Sequence, residues 1–274
     1  MGEQEGRSTE ISEISIAFPE APALHLRISV GACRLRVVPA KGDAWVQGTY
    51  RHPKATLPPK IEERNGTVRV SQEFKMGDWR GMVPVPTFEL ALGRAKAYDL
   101  TVETGASESE IDLGGLPVRR LDIRQGAGRL DVDFSAPNPQ EMSLLDLDAG
   151  AGAIEMKNLA NANFAEMTVD GGAAGFKFDF GGRLQRDARA KINTGVSGVE
   201  IRVPGSTAAR VTTETMLGGV DVGDGFMKKE GAFLNEAALA GQKPVLTIRA
   251  KVTVGGLSLR ATKKQPGPST PLLP

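Results

Sequence analysis

The stretch Leu121-Asp-Ile123-Arg-Gln-Gly126-Ala-Gly128-Arg-Leu130-Asp-Val132 decides the fold. Apolar and polar residues alternate on each side of a glycine-bearing centre, the mark of half-buried strands. The pattern returns as Leu145-Asp-Leu147-Asp-Ala-Gly150-Ala-Gly152-Ala-Ile154-Glu-Met156, and then as Met167-Thr-Val169-Asp-Gly-Gly172-Ala-Ala-Gly175-Phe176-Lys-Phe178. Ile192-Asn-Thr-Gly195-Val-Ser-Gly198-Val199-Glu-Ile201 and Val211-Thr-Thr-Glu-Thr-Met-Leu-Gly218-Gly219-Val220-Asp-Val222 follow. The last copy is Ile248-Arg-Ala-Lys-Val252-Thr-Val254-Gly255-Gly256-Leu257-Ser-Leu259. Starts at 121, 145, 167, 190 and 211 lie 24, 22, 23 and 21 residues apart, so the repeat is about 22 residues long. Imperfect copies precede it at 26–37 around Gly31 and at 100–113 around Gly105.

Each unit reads as two short strands joined by a corner, where glycine supplies positive φ or close backbone approach. One such unit cannot bury its apolar face alone, whereas stacked copies can. The expected inward ladders contain Leu121, Ile123, Leu130 and Val132, then Leu145, Leu147, Ile154 and Met156. They continue through Val169, Phe176, Phe178, Ile192, Val199, Ile201, Val220, Val222, Leu257 and Leu259. Helical patterning is nearly absent, with one capped turn expected at Asn235-Glu-Ala-Ala-Leu-Ala-Gly241. The reading is an all-β solenoid of stacked strands. Its expected divisions are a flexible start at 1–10, an irregular β section or cap at 11–98, solenoid repeats at 99–262, and a Pro-, Ser- and Thr-rich disordered tail at 263–274. Within the cap, Asn65-Gly66 between alternating runs predicts a hairpin.

Composition excludes more than it suggests. The 274 residues carry 34 Lys and Arg against 33 Asp and Glu, which removes the basic footprint of a general nucleic-acid binder. Cys33 is the single cysteine, so neither an intramolecular disulfide nor a cysteine-built zinc site is possible. His25 and His52 are the only histidines, too few for a histidine metal centre. No apolar run reaches the 18 or so residues that span a bilayer, and the opening is polar, unlike a secretory signal. The expectation is a soluble protein made in the cytosol, reaching a membrane only through a partner.

Three stretches resemble the bacterial toast-rack family of adhesin-like β-solenoids. The first is Leu26-Arg-Ile-Ser-Val-Gly31-Ala-Cys-Arg-Leu-Arg-Val37 followed by Val46-Gln-Gly-Thr-Tyr50. The second is the run of Gly-x-Gly and Gly-Gly corners through 105–222. The third joins Gly198-Val-Glu-Ile-Arg-Val-Pro204, Leu217-Gly-Gly-Val-Asp-Val222 and Val254-Gly-Gly-Leu-Ser-Leu259. That ending is similar to the C-terminal domain of the cell-wall-active antibiotic response proteins of the Lia envelope-stress system. The resemblance implies a non-enzymatic bacterial protein that holds or senses partners at the cell envelope. Lia-type members carry membrane helices before the solenoid, which are not found in this sequence, and the family motif defines no catalytic or binding residues.

The glycine corners lack the Gly-Lys-Ser or Gly-Lys-Thr of a phosphate loop, enter strands rather than helices, and lack the aspartates of a calcium roll. They read as corners, with no cofactor and no metal expected. Stacking predicts outward columns of Asp131, Glu155, Lys177, Glu200 and Asp221, and of Asp122, Asp146, Thr168, Lys191 and Thr212. These read as a solvated face, although adjacent carboxylates would attract a divalent cation or a basic partner. Asp131 and Asp133 would share one side of a strand as a carboxylate pair for polysaccharide hydrolysis, but the 14 aromatics are too few and too core-like to stack on sugars. Met76, Trp79 and Met82, in a stretch without alternation, are the candidate partner-binding loop. Cys33 reads as an inert small residue. The expected function is a scaffold that binds a protein partner in envelope-stress signalling; the alternatives are a carbohydrate-binding or polysaccharide-acting solenoid and a self-assembling, homo-oligomeric module.

Overall fold

A computed structural model describes residues 9–53, 58–72 and 85–262. Met76, Trp79 and Met82, residues 1–8 and the tail at 263–274 lie outside the described residues. Sixteen strands form one sheet, and its body is a stack of long parallel strands. These are β8 (Tyr98–Asp112), β9 (Val118–Asp133), β10 (Met142–Lys157), β11 (Phe164–Asp179), β12 (Ala188–Pro204), β13 (Ala208–Val222) and β16 (Val245–Thr262). The protein is a β-solenoid.

Each repeat is one strand of 15 to 18 residues that runs through its corner, not two separate strands. The corner is visible as a switch of inward parity. In β9, beyond the buried Val118 at its start, the buried side chains are Leu121, Ile123 and Gln125 before the corner, and Leu130 and Val132 after it. The switch makes two arms around a common core. In β9, β10, β13 and β16 a positive-φ glycine (Gly128, Gly152, Gly218, Gly255) sits at the corner, while β8, β11 and β12 switch without one. At Gly152 φ is +133°, and a Cβ would collide with the carbonyl oxygen of Gly128 on the neighbouring strand.

Stacking aligns the predicted ladders. In the first arm Leu26, Leu100, Leu121, Leu145, Met167, Ala190, Ile248 and Val211 stand in register, all buried. In the second arm the sequence is Val37, Ile111, Val132, Met156, Phe178, Ile201, Leu259 and Val222. Every ladder residue expected inward is buried except Val220 and Val222, which are half-buried on β13.

The order of strands differs from chain order. The last strand, β16, lies between β12 and β13, parallel to both. Between them in sequence the chain makes β14 (Phe226–Lys229), β15 (Ala232–Asn235) and α1 (Glu236–Leu239). The antiparallel pair β14–β15 covers β13 only at Arg210 and Val211. Asn235 caps α1, its side-chain oxygen accepting from the Ala238 amide at 3.1 Å, as the capped turn predicts.

At the other end the two arms are extended separately. β2 (His25–Val30) and β6 (Thr67–Ser71) prolong the first arm, and β5 (Lys60–Arg64) lies outermost. β3 (Cys33–Pro39), β7 (Thr87–Leu92), β4 (Val46–Pro53) and β1 (Thr9–Ile16) prolong the second. The β5–β6 hairpin turns at Asn65 and Gly66, with φ of 49° and 78°. Phe18, Trp45, Tyr98, Tyr50 and Phe88 plug this end, with Tyr50 stacked on Phe88 at 4.1 Å.

Buried asparagines lock the connections between strands. Asn138 donates to the carbonyls of Val118 (2.7 Å) and Ala162 (3.2 Å) and accepts from the Gln140 amide (2.9 Å). Asn161 donates to Phe134 O and accepts from the Arg183 amide, both at 2.9 Å. A buried amide that satisfies backbone groups on several coils fixes their spacing, and hydropathy patterning gives no sign of it.

Candidate functional site

The expected charged columns form, with β16 inserted into both. The first runs Asp131, Glu155, Lys177, Glu200, Ser258, Asp221, and the second Asp122, Asp146, Thr168, Lys191, Arg249, Thr212. Glu200 and Asp221 are therefore not neighbours; Ser258 stands between them. The carboxylates are neutralised locally by bases two residues away or on the next strand. Arg129 bridges Asp131 at 2.6 Å, Arg120 bridges Asp122 at 3.0 Å, Arg202 bridges Glu200 at 2.8 Å, and Arg260 pairs with Asp221. Asp146 accepts a hydrogen bond from Thr168. The Asp131 carboxylate holds the Arg129 guanidinium above its ordinary value. These are exposed pairs worth little individually.

Asp131 and Asp133 do not make a free carboxylate pair. The first is held by Arg129, while the second accepts from the Asn158 amide at 2.7 Å. The histidines are structural: His25 hydrogen bonds to Thr101 at 2.8 Å, and His52 contacts Ser12 at 3.2 Å and stacks on Tyr50. Cys33 is buried, and burial pushes its thiol up to about 12, so it is unreactive at neutral pH. Among the described residues no group of three or more His, Cys, Asp or Glu side chains could hold a metal ion.

The feature with the geometry of a binding surface lies elsewhere, on the outer face of the second arm. A trough of about 850 Å³ crosses six strands there, along the column from Asp131 to Asp221. Its floor is the register Ala153, Gly175, Gly198, Gly256 and Gly219. At all four glycines a Cβ would meet nothing within 4 Å, and none has positive φ. Neither a turn nor close approach requires glycine at these positions, which corrects the uniform reading of the glycines as corners. What glycine does there is leave the face bare.

Two residues before three of the floor glycines, outside the lining of the trough itself, runs an apolar ridge. Val196, Val254 and Leu217 stand in register on β12, β16 and β13, and Met216 adjoins them. Their exposures are 63%, 37%, 68% and 66%, unusual for side chains of this kind grouped together. The wall of the trough carries Glu155, Lys177, Glu200 and Asp221. Among the described residues Lys177 makes no ion pair, although Glu155 and Glu200 flank it in register. The ridge and floor were missed at the sequence level, yet they have a signature. Val196-Ser-Gly198-Val199, Val254-Gly-Gly256-Leu257 and Leu217-Gly-Gly219-Val220 share an apolar residue two before the glycine, on the outward side of the alternation.

A family model described as the N-terminal domain of toast_rack, DUF2154, matches residues 3–157, more than half of the chain. The chain belongs to the toast-rack family. The match covers β1 to β10, and the repeats beyond continue the same stack. Among solved structures, this toast-rack chain is similar to a presumed cell adhesion protein from Clostridium sporogenes, with a TM-score of 0.53 and 14% identity over 94% of this chain and 100% of that one. A presumed adhesin from Bacteroides fragilis aligns over 93% of this chain and 98% of that one, with a TM-score of 0.44 and 8% identity. At such identities the first of these shows the fold alone. No curated protein matches the sequence. Among the described residues no helix is long and apolar enough to cross a membrane.

Proposed function

We propose that this toast-rack protein is a non-enzymatic scaffold whose second-arm face docks a protein partner in bacterial envelope-stress signalling. The observation that carries the reading is the apolar ridge of Val196, Val254 and Leu217 beside a glycine-floored trough. Exposed aliphatic side chains next to a concave floor supply the desolvated centre of a protein interface, and the charged wall supplies its polar rim. Of the strands beneath, β9, β10, β11, β12 and β16 are hydrogen bonded on both sides and β13 is held by β16, so most of the surface is presented without an ordering cost. Family membership and the adhesion-related neighbour agree with a role in contact rather than chemistry. The envelope-stress setting comes from the resemblance of the C-terminal repeats to Lia-type proteins. The division into an N-terminal cap and a repeat body, with Met76, Trp79 and Met82 as a further contact loop, belongs to the same proposal.

The test is photo-cross-linking in the bacterial host from position 198, with membrane fractionation and mass spectrometry of the products. Gly175→Arg fills the trough at an open, unstrained site and serves as the blocked control. Capture of one envelope protein that disappears in the blocked variant supports the reading. Capture that persists in the blocked variant, or none at all, removes it. A double change of Trp79→Ala and Met82→Ala tests the loop, with weaker capture and an unchanged melt expected.

A further inference from the structure

One edge of the sheet is left unfinished. β13 pairs along its length with β16, but β15 reaches only Arg210 and Val211 on its other side. Among the described residues, 212–222 therefore present one row of unpaired backbone groups. The core stops short at the same place. Val220 and Val222 are half-buried, whereas Leu257 and Leu259, their partners on β16, are buried. Exposed edges of this length are normally blunted by charge or covered. β5 follows that rule, with Lys60, Glu62, Glu63 and Arg64 all exposed along five residues. The free part of β13 does not.

We propose that this edge is a homotypic interface, at which a second copy of the chain adds its own β13 antiparallel across a two-fold axis. Charge selects the occupant. The two acids of the segment are already matched on β16: Glu214 pairs with Lys251 at 3.2 Å, and Asp221 pairs with Arg260. The edge is electrically balanced, and the large side chains it exposes, Met216 and Leu217, are apolar, so a strongly charged partner finds nothing to pair with. Two copies meet without unmatched like charges, and each covers the other's Val220 and Val222. The two-fold closes the assembly. A head-to-tail contact with β1 is a poorer match, because Glu10 and Glu13 are exposed there while Ile14 and Ile16 are already buried. Leu217 and Gly219 belong both to this edge and to the ridge and floor of the docking face, but self-association requires no second protein and survives the failure of that docking role.

Sedimentation of the purified full chain between about 1 and about 100 µM is expected to show a reversible dimer. Met216→Lys with Leu217→Lys, at two exposed positions beside the edge, is expected to weaken that dimer about tenfold or more. The circular dichroism and melt of the separated monomer should not change. Gly219→Cys lies on β13 with open space for its side chain, and oxidation should link it across the two-fold. Gly175→Cys, on β11, should stay unlinked, and the buried Cys33 does not compete. A chain monomeric throughout overturns the proposal. So does a dimer that is indifferent to the lysine pair and unlinked through position 219, or a monomer whose edge is taken by a strand from another protein.

Discussion

The two ends of the solenoid solve the same problem in opposite ways. At the N-terminal end both arms are carried past β8 by added strands, and aromatic rings fill the space between. Phe18 stacks on Trp45 at 5.5 Å, Trp45 meets the edge of Tyr98 at 5.6 Å, and Tyr50 is sandwiched between Phe88 and His52. The outermost first-arm strand carries four charged residues in five. At the C-terminal end only the first arm is covered, by β15, β14 and α1. The second arm ends in the bare flank of β13. A stack of identical units has no internal reason to stop, so every real solenoid needs a terminator. Here one end is terminated by bulk and charge, and the other leaves apolar side chains facing outward.

That contrast can be broken most directly at Trp45. Trp45→Ala removes the largest buried ring of the plug and should cost about 3–5 kcal/mol in equilibrium denaturation. A loss under about 1 kcal/mol would mean that the aromatics do not hold the N-terminal end together. Asn138→Ala strips two donors from buried carbonyls and one acceptor from a backbone amide, so a loss of about 2–3 kcal/mol is expected by the same measurement.

A matched pair sharpens the comparison along one ladder. Val199 and Val220 flank Leu257 in register, but only the first is fully buried. Val199→Ala should cost about 2 kcal/mol and Val220→Ala less than about 1 kcal/mol under monomeric conditions. Equal losses would show that the C-terminal end is covered after all.

The smallest effect concerns Glu103 at the N-terminal junction. Hydrogen bonding to the Arg27 guanidinium, which grips both carboxylate oxygens, holds the Glu103 carboxyl below the usual range, and Ser29 adds a bond at 2.8 Å. A carboxylate with a folded value below its unfolded value near 4.3 stabilises the fold above that pH. The contribution disappears as pH falls through the lower folded value. The stability advantage of the parent chain over Glu103→Gln should therefore shrink as pH falls below about 5, by under about 1 kcal/mol because the pair is partly solvated. An advantage that grows on acidification would reverse the assignment.

The repeat body was legible because its information is local. Leu121, Ile123, Leu130 and Val132 reveal which face is inward, and a one-residue slip would expose all of them. The Asn65-Gly66 hairpin and the Asn235 cap were equally local. The trough was less legible. Gly152 and Gly198 look alike in the sequence, yet one is demanded by backbone conformation and the other only leaves a surface bare. That difference depends on what a Cβ would meet across strands. The asparagine locks escaped for a similar reason: Asn161 becomes a lock only when Phe134 and Arg183, on other turns of the coil, come within reach.

By itself the sequence determined that this chain is a stack of bent strands, which side of each is buried, and where each strand turns. Alternation and glycine spacing act within one strand, so no neighbour is needed to read them. The tertiary structure alone decided who stands beside whom. Ile201 and Val222 would each accept any aliphatic ladder mate, and both take Leu259 because β16 enters between their strands. Hydrophobic periodicity specifies a face and is silent about the adjacent strand. That choice depends on which edges the rest of the chain can cover, and it is what leaves β13, instead of the last strand, at the open end.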